Sequence, residues 1–481
     1  MLKLEPRKVW EHFENLCAIP RPSGREKAAG DYVISVAKAH GLPWERDRVG
    51  NIVVRVPASK GKEKAPTVVL QGHTDMVCEK NRDVKHDFLK DPIRPRVVGD
   101  VVKATGTTLG ADNGIGVAMA LALLDEPKAV HGPLELLFTI DEETGLNGAN
   151  NLQPGFVKGR ILLNLDTEED GQLYVGCAGG KDTEMVLPIR RQVALDPRPA
   201  RTLVVKGLRG GHSGGDIHEG RGNANRILAR ALAVLEGGGL PFALVSVSGG
   251  SKRNAIPREA FATLHLDAAA ARKAAPLLAS FQETVRAELK GVDEGVSVAL
   301  EKGEAPWPPL TAAAQKKVLH LLGAVPHGLI SYSREIHGLV ETSTNFAIVE
   351  TAERTLSVFT SQRSSVESQR DWAAWWVANV GRLAGARVRH SFGYPGWQPN
   401  LDSKVLAQAK KTYRRLFKKD PLVKAIHAGL ECGIIGSKYP GMDMVSLGPT
   451  IRNAHSPDEE VHIPSVGSTY RFLLELLKDL A

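Results

Sequence analysis

Histidine and carboxylate residues follow several short apolar runs of this 481-residue sequence. Seven of them could bind a metal ion or take part in catalysis: His73, Asp75, Asp112, Glu142, Glu143, Asp166 and His455. All lie just after an apolar run except Asp112, which lies in a glycine-rich loop before a helical segment. Imidazole and carboxylate groups without thiolates are typical ligands of zinc, manganese or cobalt in hydrolytic sites. The residue types therefore predict a hydrolytic metal centre.

The chemistry of such a centre requires more than ligands. A bridging carboxylate supports two cations about 3.5–4 Å apart, and such a pair lowers the pKa of a shared water. A base must also take the proton of that water, and Glu142, adjacent to the ligand candidate Glu143, is placed for this. Asp75 lies two residues after His73, on the same side of an extended segment. It is therefore the candidate partner for the second ring nitrogen of His73.

A scaffold must bring these residues together, and the sequence pattern indicates which one. Predicted strands alternate with helices: strands at 51–56, 67–71, 134–140, 161–165 and 444–447, and helices at 115–124 and 469–480. This alternation predicts an α/β fold with a mostly parallel central sheet. The carboxyl ends of parallel strands share one edge, where open α/β folds place their sites. The candidate residues should therefore meet at that edge.

The middle of the chain has a different pattern of strands and helices, and this pattern predicts a second domain. Strands such as 202–206 and 260–266 precede Ala-rich helices, and a strand–helix–strand–helix pattern is predicted around 201–292 and again around 328–385. The turn-rich segment 391–400 is a candidate return linker. We predict a discontinuous catalytic domain, 1–192 and 393–481, with an inserted α+β domain at 193–392. A chain of this length favours two domains in any case.

Composition excludes several classes of function. Hydrophobic residues at 42% and charged residues at 24% are typical of a globular protein. The net charge of +8 would suit nucleic acid, but the 62 basic and 54 acidic residues are interleaved. Aromatic platforms beside basic residues, which bind single strands, are lacking. The four cysteines are scattered, the amino terminus is charged, and no run of about 18 apolar residues occurs. We expect a cytoplasmic protein that binds neither nucleic acid nor membrane.

Several motifs carry a family resemblance that covers nearly the whole chain. They are LQGHTDMV (70–77), TLGADNGIG (108–116), DEETGLNGA (141–149), NLDTEE (164–169), GLRGGHSGGDI (207–217), RNAIPREA (253–260), HAGLECG (427–433) and IRNAHSPDEE (451–460). In order and spacing they resemble the dinuclear zinc aminopeptidase and carboxypeptidase superfamily, which includes carnosinases and peptidase T. Within it they are most similar to the bacterial aminoacylhistidine (Xaa-His) dipeptidases.

The resemblance implies a role for each residue of the metal centre. It implies that Asp112 bridges two divalent ions, that His73 and Asp166 complete one site, and that Glu143 and His455 complete the other. It makes Glu142 the general base and Asp75 the residue that orients His73. The implied cofactor is two zinc ions per chain, with manganese and cobalt as alternatives, and the implied activity is hydrolysis of unblocked dipeptides such as Xaa-His.

The resemblance also implies a lid and an assembly. The inserted domain would cover the substrate and join two chains into a homodimer. His212, in Gly-Gly-His-Ser-Gly, would stabilise the oxyanion in the site of the partner subunit. Asn254 and Arg363 would hold the backbone and the terminal carboxylate of the substrate. The peptide bond after the bridging Asp112 is expected to be cis.

Other interpretations remain open from the sequence. A tripeptide aminopeptidase or an N-acyl amino acid deacylase of the same superfamily would use the same metal ligands. A non-catalytic protein that uses the fold as a binding scaffold is the alternative from another class; the loss of Glu142 or of a ligand would favour it, and all are present. The apolar helix face of Trp372, Trp375 and Trp376 is expected in the core or at a subunit interface. The run 168–170 is expected to be a solvated turn.

Overall fold

The structure, a computed structural model, describes residues 2–481. The chain divides into two compact units. The first unit contains residues 2–177, 397–425 and 430–481, and the second contains residues 178–396 and 426–429.

The first unit contains eight helices and twelve strands among the described residues. The helices are α1 (Arg7–Cys17), α2 (Lys27–Ala39), α3 (Ala111–Ala122), α4 (Glu142–Gly145), α5 (Asn147–Asn151), α10 (Lys404–Phe417), α11 (Glu431–Lys438) and α12 (Ile463–Leu480). The strands are β1 (Trp44–Arg46), β2 (Ile52–Val56), β3 (Val68–His73), β4 (Arg96–Val98), β5 (Val101–Lys103), β6 (Leu134–Thr139), β7 (Ile161–Asn164), β8 (Gln172–Cys177), β20 (Leu422–Ile426), β21 (Asp443–Ser446), β22 (Ile451–Arg452) and β23 (Glu460–His462).

Eight strands of the first unit form one sheet in the order β1-β2-β6-β3-β7-β21-β8-β20. The four central strands, β6, β3, β7 and β21, are parallel to one another. Strands β2 and β8 pair antiparallel on either side of them. The parallel centre buries both faces, so β3 and β6 are buried throughout, their polar residues Gln71 and Glu135 included. The predicted parallel sheet is therefore present as the middle of a mixed sheet.

A smaller sheet positions the last site loop. Its order is β22-β23-β5-β4, and β22 and β23 pair antiparallel, Ile451 with Val461 and Arg452 with Glu460. The residues between these two strands form the loop that carries His455. Because both ends of this loop are hydrogen-bonded in the sheet, its position relative to the rest of the unit is fixed.

The second unit contains four helices and eleven strands among the described residues. The helices are α6 (Ala224–Gly237), α7 (Ala268–Glu288), α8 (Ala312–Ala324) and α9 (Glu367–Leu383). The strands are β9 (Gly179–Pro188), β10 (Ala200–Lys206), β11 (Gly211–His212), β12 (Ala243–Gly249), β13 (Ala255–Ile256), β14 (Ala260–His265), β15 (Ser297–Lys302), β16 (Gly328–Tyr332), β17 (Val340–Thr351), β18 (Thr355–Ser364) and β19 (Arg387–His390). Three of the helices begin at a side-chain cap, at Asn223, Asp267 and Thr311.

A nine-stranded sheet organises the second unit. Its main path is β15-β10-β14-β12-β17-β18-β9-β19, and β16 pairs with β17. The pattern around 201–292 is present, with β10, α6, β12, β14 and α7 in chain order. The prediction of the same alternation around 328–385 is wrong: β16, β17 and β18 are consecutive antiparallel strands, and one helix, α9, follows them. Short hairpin connections replaced the expected helix there.

The elements predicted from the sequence lie close to those of the structure. The strands expected at 67–71, 134–140, 161–165 and 444–447 are β3, β6, β7 and β21, with ends shifted by one or two residues. The helix expected at 115–124 is α3, which spans Ala111–Ala122 but has non-helical backbone angles at Asp112 and Asn113, so its regular part follows Asn113. No helix within residues 2–481 combines the length and apolar character needed to cross a membrane.

Candidate metal centre and His212 cluster

The ends of the central strands hold the predicted metal ligands of the first unit. His73 is the last residue of β3. Asp166 follows β7 by two residues, and Glu143 lies in α4, which begins three residues after β6. Asp112 lies in the first turn of α3, and His455 lies in the loop between β22 and β23. The five residues come from five separate segments of the chain.

Asp112 stands between two groups of potential ligands. Its Oδ1 atom lies 3.1 Å from Nε2 of His73, and its Oδ2 atom lies 3.0 Å from Nε2 of His455. Asp166 joins the His73 side, with Oδ1 3.3 Å from the same Nε2. Glu143 joins the His455 side, with Oε2 3.1 Å from Nε2. In each group the potential ligand atoms lie within 4.8 Å of one another.

The two sides of the centre differ in exposure. The side chain of His73 is 1% exposed, whereas that of His455 is 52% exposed. The centre is therefore closed behind β3 and open to solvent on the side of the β22–β23 loop. A reacting molecule would approach from that open side.

Asp75 connects His73 to the short helix α4. Its Oδ1 atom lies 3.2 Å from Nδ1 of His73, and the carboxylate accepts a 2.7 Å hydrogen bond from the Ser23 hydroxyl. The backbone N–H groups of Glu142 and Glu143 also donate to it, at 3.1 and 3.2 Å. Burial alone would raise the pKa of Asp75, but the hydrogen bond with His73 and these donors lower it to about 2. Asp75 therefore remains an anion.

Glu142 lies at the first position of α4, beside these ligands. Potential ligand atoms of His73, Glu142 and Glu143 lie within 4.8 Å of one another. Burial, followed by the nearby charges of Asp166 and Glu143, raises the pKa of Glu142 well above the ordinary value of a glutamate. A raised pKa makes a carboxylate a stronger proton acceptor than an ordinary glutamate. Its position and its environment both suit a general base.

Asn113 and nearby glycines fix the loop that carries Asp112. The Nδ2 of Asn113 donates a 2.8 Å hydrogen bond to the carbonyl of Leu165, the residue before Asp166. A Cβ at Gly72 would lie 2.4 Å from Oδ1 of Asn113, so only glycine leaves room for this side chain. The Asp112–Asn113 peptide bond is cis, as expected from the resemblance.

The donor atoms of this centre fit divalent cations. With a proton on Nδ1 of His73, directed at Asp75, the Nε2 atom presents a lone pair to the carboxylates of Asp112 and Asp166. Within residues 2–481, the buried oxygens Glu143 Oε1 and Asp166 Oδ1 have no hydrogen-bond donor. Hydrogen bonds to Asp112 and Glu143 raise the pKa of His455 to about 11, and burial raises that of Asp166 to about 7. Cations would compensate this excess of negative charge and use these free lone pairs.

The second unit gathers the three predicted substrate-contacting residues around Ser213. The backbone N–H of Ser213 donates a 2.8 Å hydrogen bond to the carbonyl of Asn254. The Ser213 hydroxyl accepts from Nε of Arg363 at 3.3 Å, and Nη1 of Arg363 donates to the Tyr394 hydroxyl at 2.8 Å. Ser213 follows His212 directly. His212, Asn254 and Arg363, called here the His212 cluster, therefore belong to one local structure.

The ring of His212 has a defined tautomer. Its Nδ1 atom accepts hydrogen bonds from the backbone N–H groups of Gly214 and Gly215, at 3.3 and 3.0 Å. An atom that accepts two N–H donors carries no proton itself. The neutral ring therefore has its proton on Nε2, which is the form that can donate to a negatively charged oxygen.

Close packing explains one glycine of the motif around His212. A Cβ at Gly214 would lie 2.1 Å from the carbonyl oxygen of His427, which is far inside van der Waals contact. His427 itself is buried, and its Nε2 pairs with the Ser343 hydroxyl at 2.7 Å. Burial, followed by the charge of Arg363, lowers the pKa of His427 to about 3, so this ring is neutral.

Two carboxylates near the metal centre were not identified as site residues from the sequence. Glu168 was expected in a solvated turn, but it is half-buried, and burial together with Asp112 and Asp166 raises its pKa to about 8. Glu431 is fully buried and accepts hydrogen bonds from Gln71 at 2.5 Å and Thr139 at 2.7 Å. Both lie in segments that carry the resemblance, NLDTEE and HAGLECG, but nothing in those segments singles out these two carboxylates.

The first unit is an α/β structure with two groups of potential metal ligands at the edge of its sheet, and the second unit has a cluster of a histidine and an arginine. This combination is typical of a metallopeptidase. The model of peptidase family M20/M25/M40 matches residues 69–479. The chain belongs to this family.

Three known proteins are similar to this chain over nearly its full length. The chain is 45% identical over 478 residues to the cytosol non-specific dipeptidase of Escherichia coli, covering 99% of this chain and 98% of that protein. It is similar to the crystal structure of aminoacylhistidine dipeptidase from Vibrio alginolyticus, with a TM-score of 0.89 and 43% identity. The match covers 99% of this chain and 97% of that chain. Aminopeptidase PepT from Bacillus cereus shares the fold, with a TM-score of 0.57 and 15% identity over 99% of both chains.

Proposed function

We propose that this protein hydrolyses unblocked dipeptides, Xaa-His among them, at a centre of two divalent metal ions, most suitably zinc. The observation that carries the proposal is the position of Asp112, whose two carboxylate oxygens face His73 on one side and His455 on the other. The high identity to a dipeptidase over nearly the full length of both chains supports the substrate class.

Each of the proposed site residues of the first unit would have a separate role. His73 and Asp166 would hold one ion, Glu143 and His455 the other, and Asp112 both. Bound divalent cations supply Lewis acidity, which lowers the pKa of water and polarises the scissile carbonyl. Glu142 would take the proton of the attacking water and deliver it to the leaving amine. Asp75 would keep the proton of His73 on Nδ1, so that Nε2 remains a ligand.

The second unit would supply recognition, as the lid that we propose for about residues 193–392. His212 would donate its Nε2 proton to the developing oxyanion. Arg363 would bind the terminal carboxylate of the dipeptide, since a guanidinium recognises carboxylates through paired N–H groups. Asn254 would hold the substrate backbone. Catalysis itself would belong to the parts of the chain at 1–192 and 393–481.

We also propose that the protein acts in the cytoplasm as a homodimer joined through the lid. Three tryptophans on one face of α9 support this interface: Trp372, Trp375 and Trp376 are 54%, 52% and 41% exposed. Their spacing of three and four residues places them on the same side of the helix. The rings of Trp372 and Trp375 stack at 5.0 Å. Exposed apolar patches of this kind mark interaction surfaces, and the alternative of a core position is wrong.

The experiment that tests the function combines metal analysis with a substrate panel. The purified protein is loaded with zinc, manganese or cobalt, its ions per chain are counted, and dipeptides, tripeptides and N-acyl amino acids are compared by kcat/KM. We expect two ions per chain and the highest kcat/KM for free dipeptides. A preference for tripeptides or N-acyl amino acids would replace the substrate class. Absence of hydrolysis with both ions bound would favour a binding scaffold.

A further inference from the structure

A buried glutamate holds the loop of Asp112 by four consecutive hydrogen bonds. The carboxylate of Glu459 accepts from the backbone N–H groups of Leu109 at 2.7 Å, Gly110 at 2.9 Å, Ala111 at 2.7 Å and Asp112 at 3.2 Å. Its residue is 2% exposed. Glu459 lies four residues after His455, in the same loop between β22 and β23. One side chain therefore connects the His455 loop to the backbone of the bridging residue.

The backbone conformation of the Asp112 loop suits this carboxylate. Gly110 has φ of +72°, in the left-handed region. A turn of this kind directs successive N–H groups to one side and forms a concave anion site. Each carboxylate oxygen accepts two of the four N–H groups, so both oxygens are engaged. Glu459 is therefore a support of the loop and not a further metal ligand.

An arginine holds the opposite side of the same loop. Nη2 of Arg21 donates to the carbonyl of Gly110 at 2.5 Å, and its Nη1 donates to the carbonyls of Asp75 at 2.8 Å and Thr74 at 3.1 Å. Arg21 is 1% exposed. Thr74 and Asp75 directly follow His73. The loop of Asp112 is thus tied by Arg21 to the segment of one proposed ion site and by Glu459 to the loop of the other.

We propose that Glu459 is a positioning residue that sets the distance between Asp112 and His455, and that Arg21 does the same between Asp112 and His73. This inference rests on the proposed function, because it assigns the two residues to the proposed ion sites. Asp112 can serve both sites only when its backbone is held in register with both histidines. Hydrogen bonds to an ionised group are stronger than neutral ones, which suits this task.

The charge and the two oxygens of Glu459 can be tested by one isosteric change. In Glu459→Gln one oxygen becomes an NH₂ group, which cannot accept, so two of the four buried N–H groups lose their acceptor. We expect one of the two ions to bind about 10- to 100-fold more weakly, the usual effect of losing a group that orients a ligand. We expect kcat to fall with little change in KM, because substrate-binding groups are untouched.

The control is the neighbouring substitution Glu460→Gln. Glu460 is half-buried and pairs with Lys103 at 2.8 Å, away from the Asp112 backbone. Apoprotein of the wild type and both variants is titrated with Co²⁺, and binding is followed by calorimetry and visible absorption. The wild type and Glu460→Gln should bind two ions with equal affinity, whereas Glu459→Gln should show one normal and one weakened step. The thermal midpoint of each apoprotein is measured alongside.

The outcomes separate this inference from the proposed function. If the wild type does not bind two ions, the proposed function fails and the inference fails with it. If the wild type binds two and Glu459→Gln binds both with unchanged affinity, Glu459 has no positioning role, even where its thermal midpoint is lower. Should Glu459→Gln not fold, Glu459→Asp, which keeps the charge but shortens the side chain, is read by the same criterion. A selectively weakened step in either variant supports the inference.

Discussion

The Oδ1 atom of Asp75 accepts a 3.1 Å hydrogen bond from the backbone N–H of Glu142. The same atom lies 3.2 Å from Nδ1 of His73. One buried carboxylate oxygen therefore fixes both the ring of a proposed ligand and the start of the helix that carries the proposed base. The two roles assigned to His73 and Glu142 depend on a single side chain.

Asp75→Asn should weaken both roles. The amide keeps one acceptor, but its NH₂ group meets N–H donors where the carboxylate accepted them. We expect metal affinity and turnover each to fall about 10- to 100-fold. Metal titration and kcat are measured beside Asp402→Asn, an exposed aspartate of the same unit. Equal behaviour of the two variants would show that Asp75 does not orient His73.

Glu142→Ala should separate chemistry from metal binding. The variant keeps all five proposed ligands, so its metal content should stay near that of the wild type. Its kcat should fall by about 10²–10⁴-fold, the usual contribution of a general base. Glu169→Ala, at an exposed glutamate 3.6 Å from Lys424, is the control and should retain full turnover. Normal hydrolysis by Glu142→Ala would move the base to another residue.

His212→Ala tests the oxyanion role of the lid. Loss of one such donor typically lowers kcat about 10²–10³-fold, and both ions should remain bound. His218→Ala, at an exposed histidine of the same segment, is the control. Mixing inactive His212→Ala chains with inactive Glu142→Ala chains then tests the source of His212. Activity returns if His212 acts in the partner's site; if it never returns although chains exchange, His212 serves its own chain.

Arg363→Met tests recognition of the substrate carboxylate. Hydrogen bonds to a charged group contribute about 1.5–3 kcal/mol, which corresponds to about 10- to 150-fold in kcat/KM. The loss should appear for free dipeptides and be small for C-terminally amidated dipeptides, which lack the negative charge. Arg387→Met, at an exposed arginine of β19, serves as the control. An equal loss for free and amidated substrates would contradict the assignment.

Trp375→Glu tests the proposed interface. A charge in the middle of the exposed face of α9 should prevent close packing of two copies, so the mass in solution should fall from dimer to monomer. Light scattering coupled to gel filtration measures the change. Leu383→Glu, at a 90% exposed residue at the end of the same helix, is the control for added charge. A dimer that survives Trp375→Glu would place the interface elsewhere.

The strands and the strand-end residues could be predicted because their signals are local. His73 and Asp166 follow apolar runs that are long enough to be recognised as buried strands, and parallel pairing brings the ends of such strands together. Asp112 was identified in the same way, from a glycine-rich loop before an apolar helix. For these residues, neighbouring positions in the sequence carry sufficient information.

Other features depend on contacts that no local pattern contains. Glu459 binds backbone groups as far as 350 residues away along the chain, and a backbone N–H has no identity in the sequence. Glu168 resembles a surface charge because its burial is produced by other segments. The alternation expected around 328–385 failed for a related reason. Strand β17 is long and buried yet carries many polar residues, and two of its hydroxyl groups are hydrogen-bonded to β18, Thr342 to Ser364 and Thr344 to Gln362.

The close approach of Gly214 to the carbonyl of His427 makes this position intolerant of any side chain. In a library that samples all twenty residues at each position, substitutions of Gly214 should be as poorly tolerated as substitutions of the proposed metal ligands. The cause of this intolerance would differ from that of the ligands, because glycine supplies no reacting group and a side chain at this position is excluded by volume alone. Mutational sensitivity at this position would therefore map the shape that holds the His212 ring, while the sensitivity of His212 itself would map the reaction.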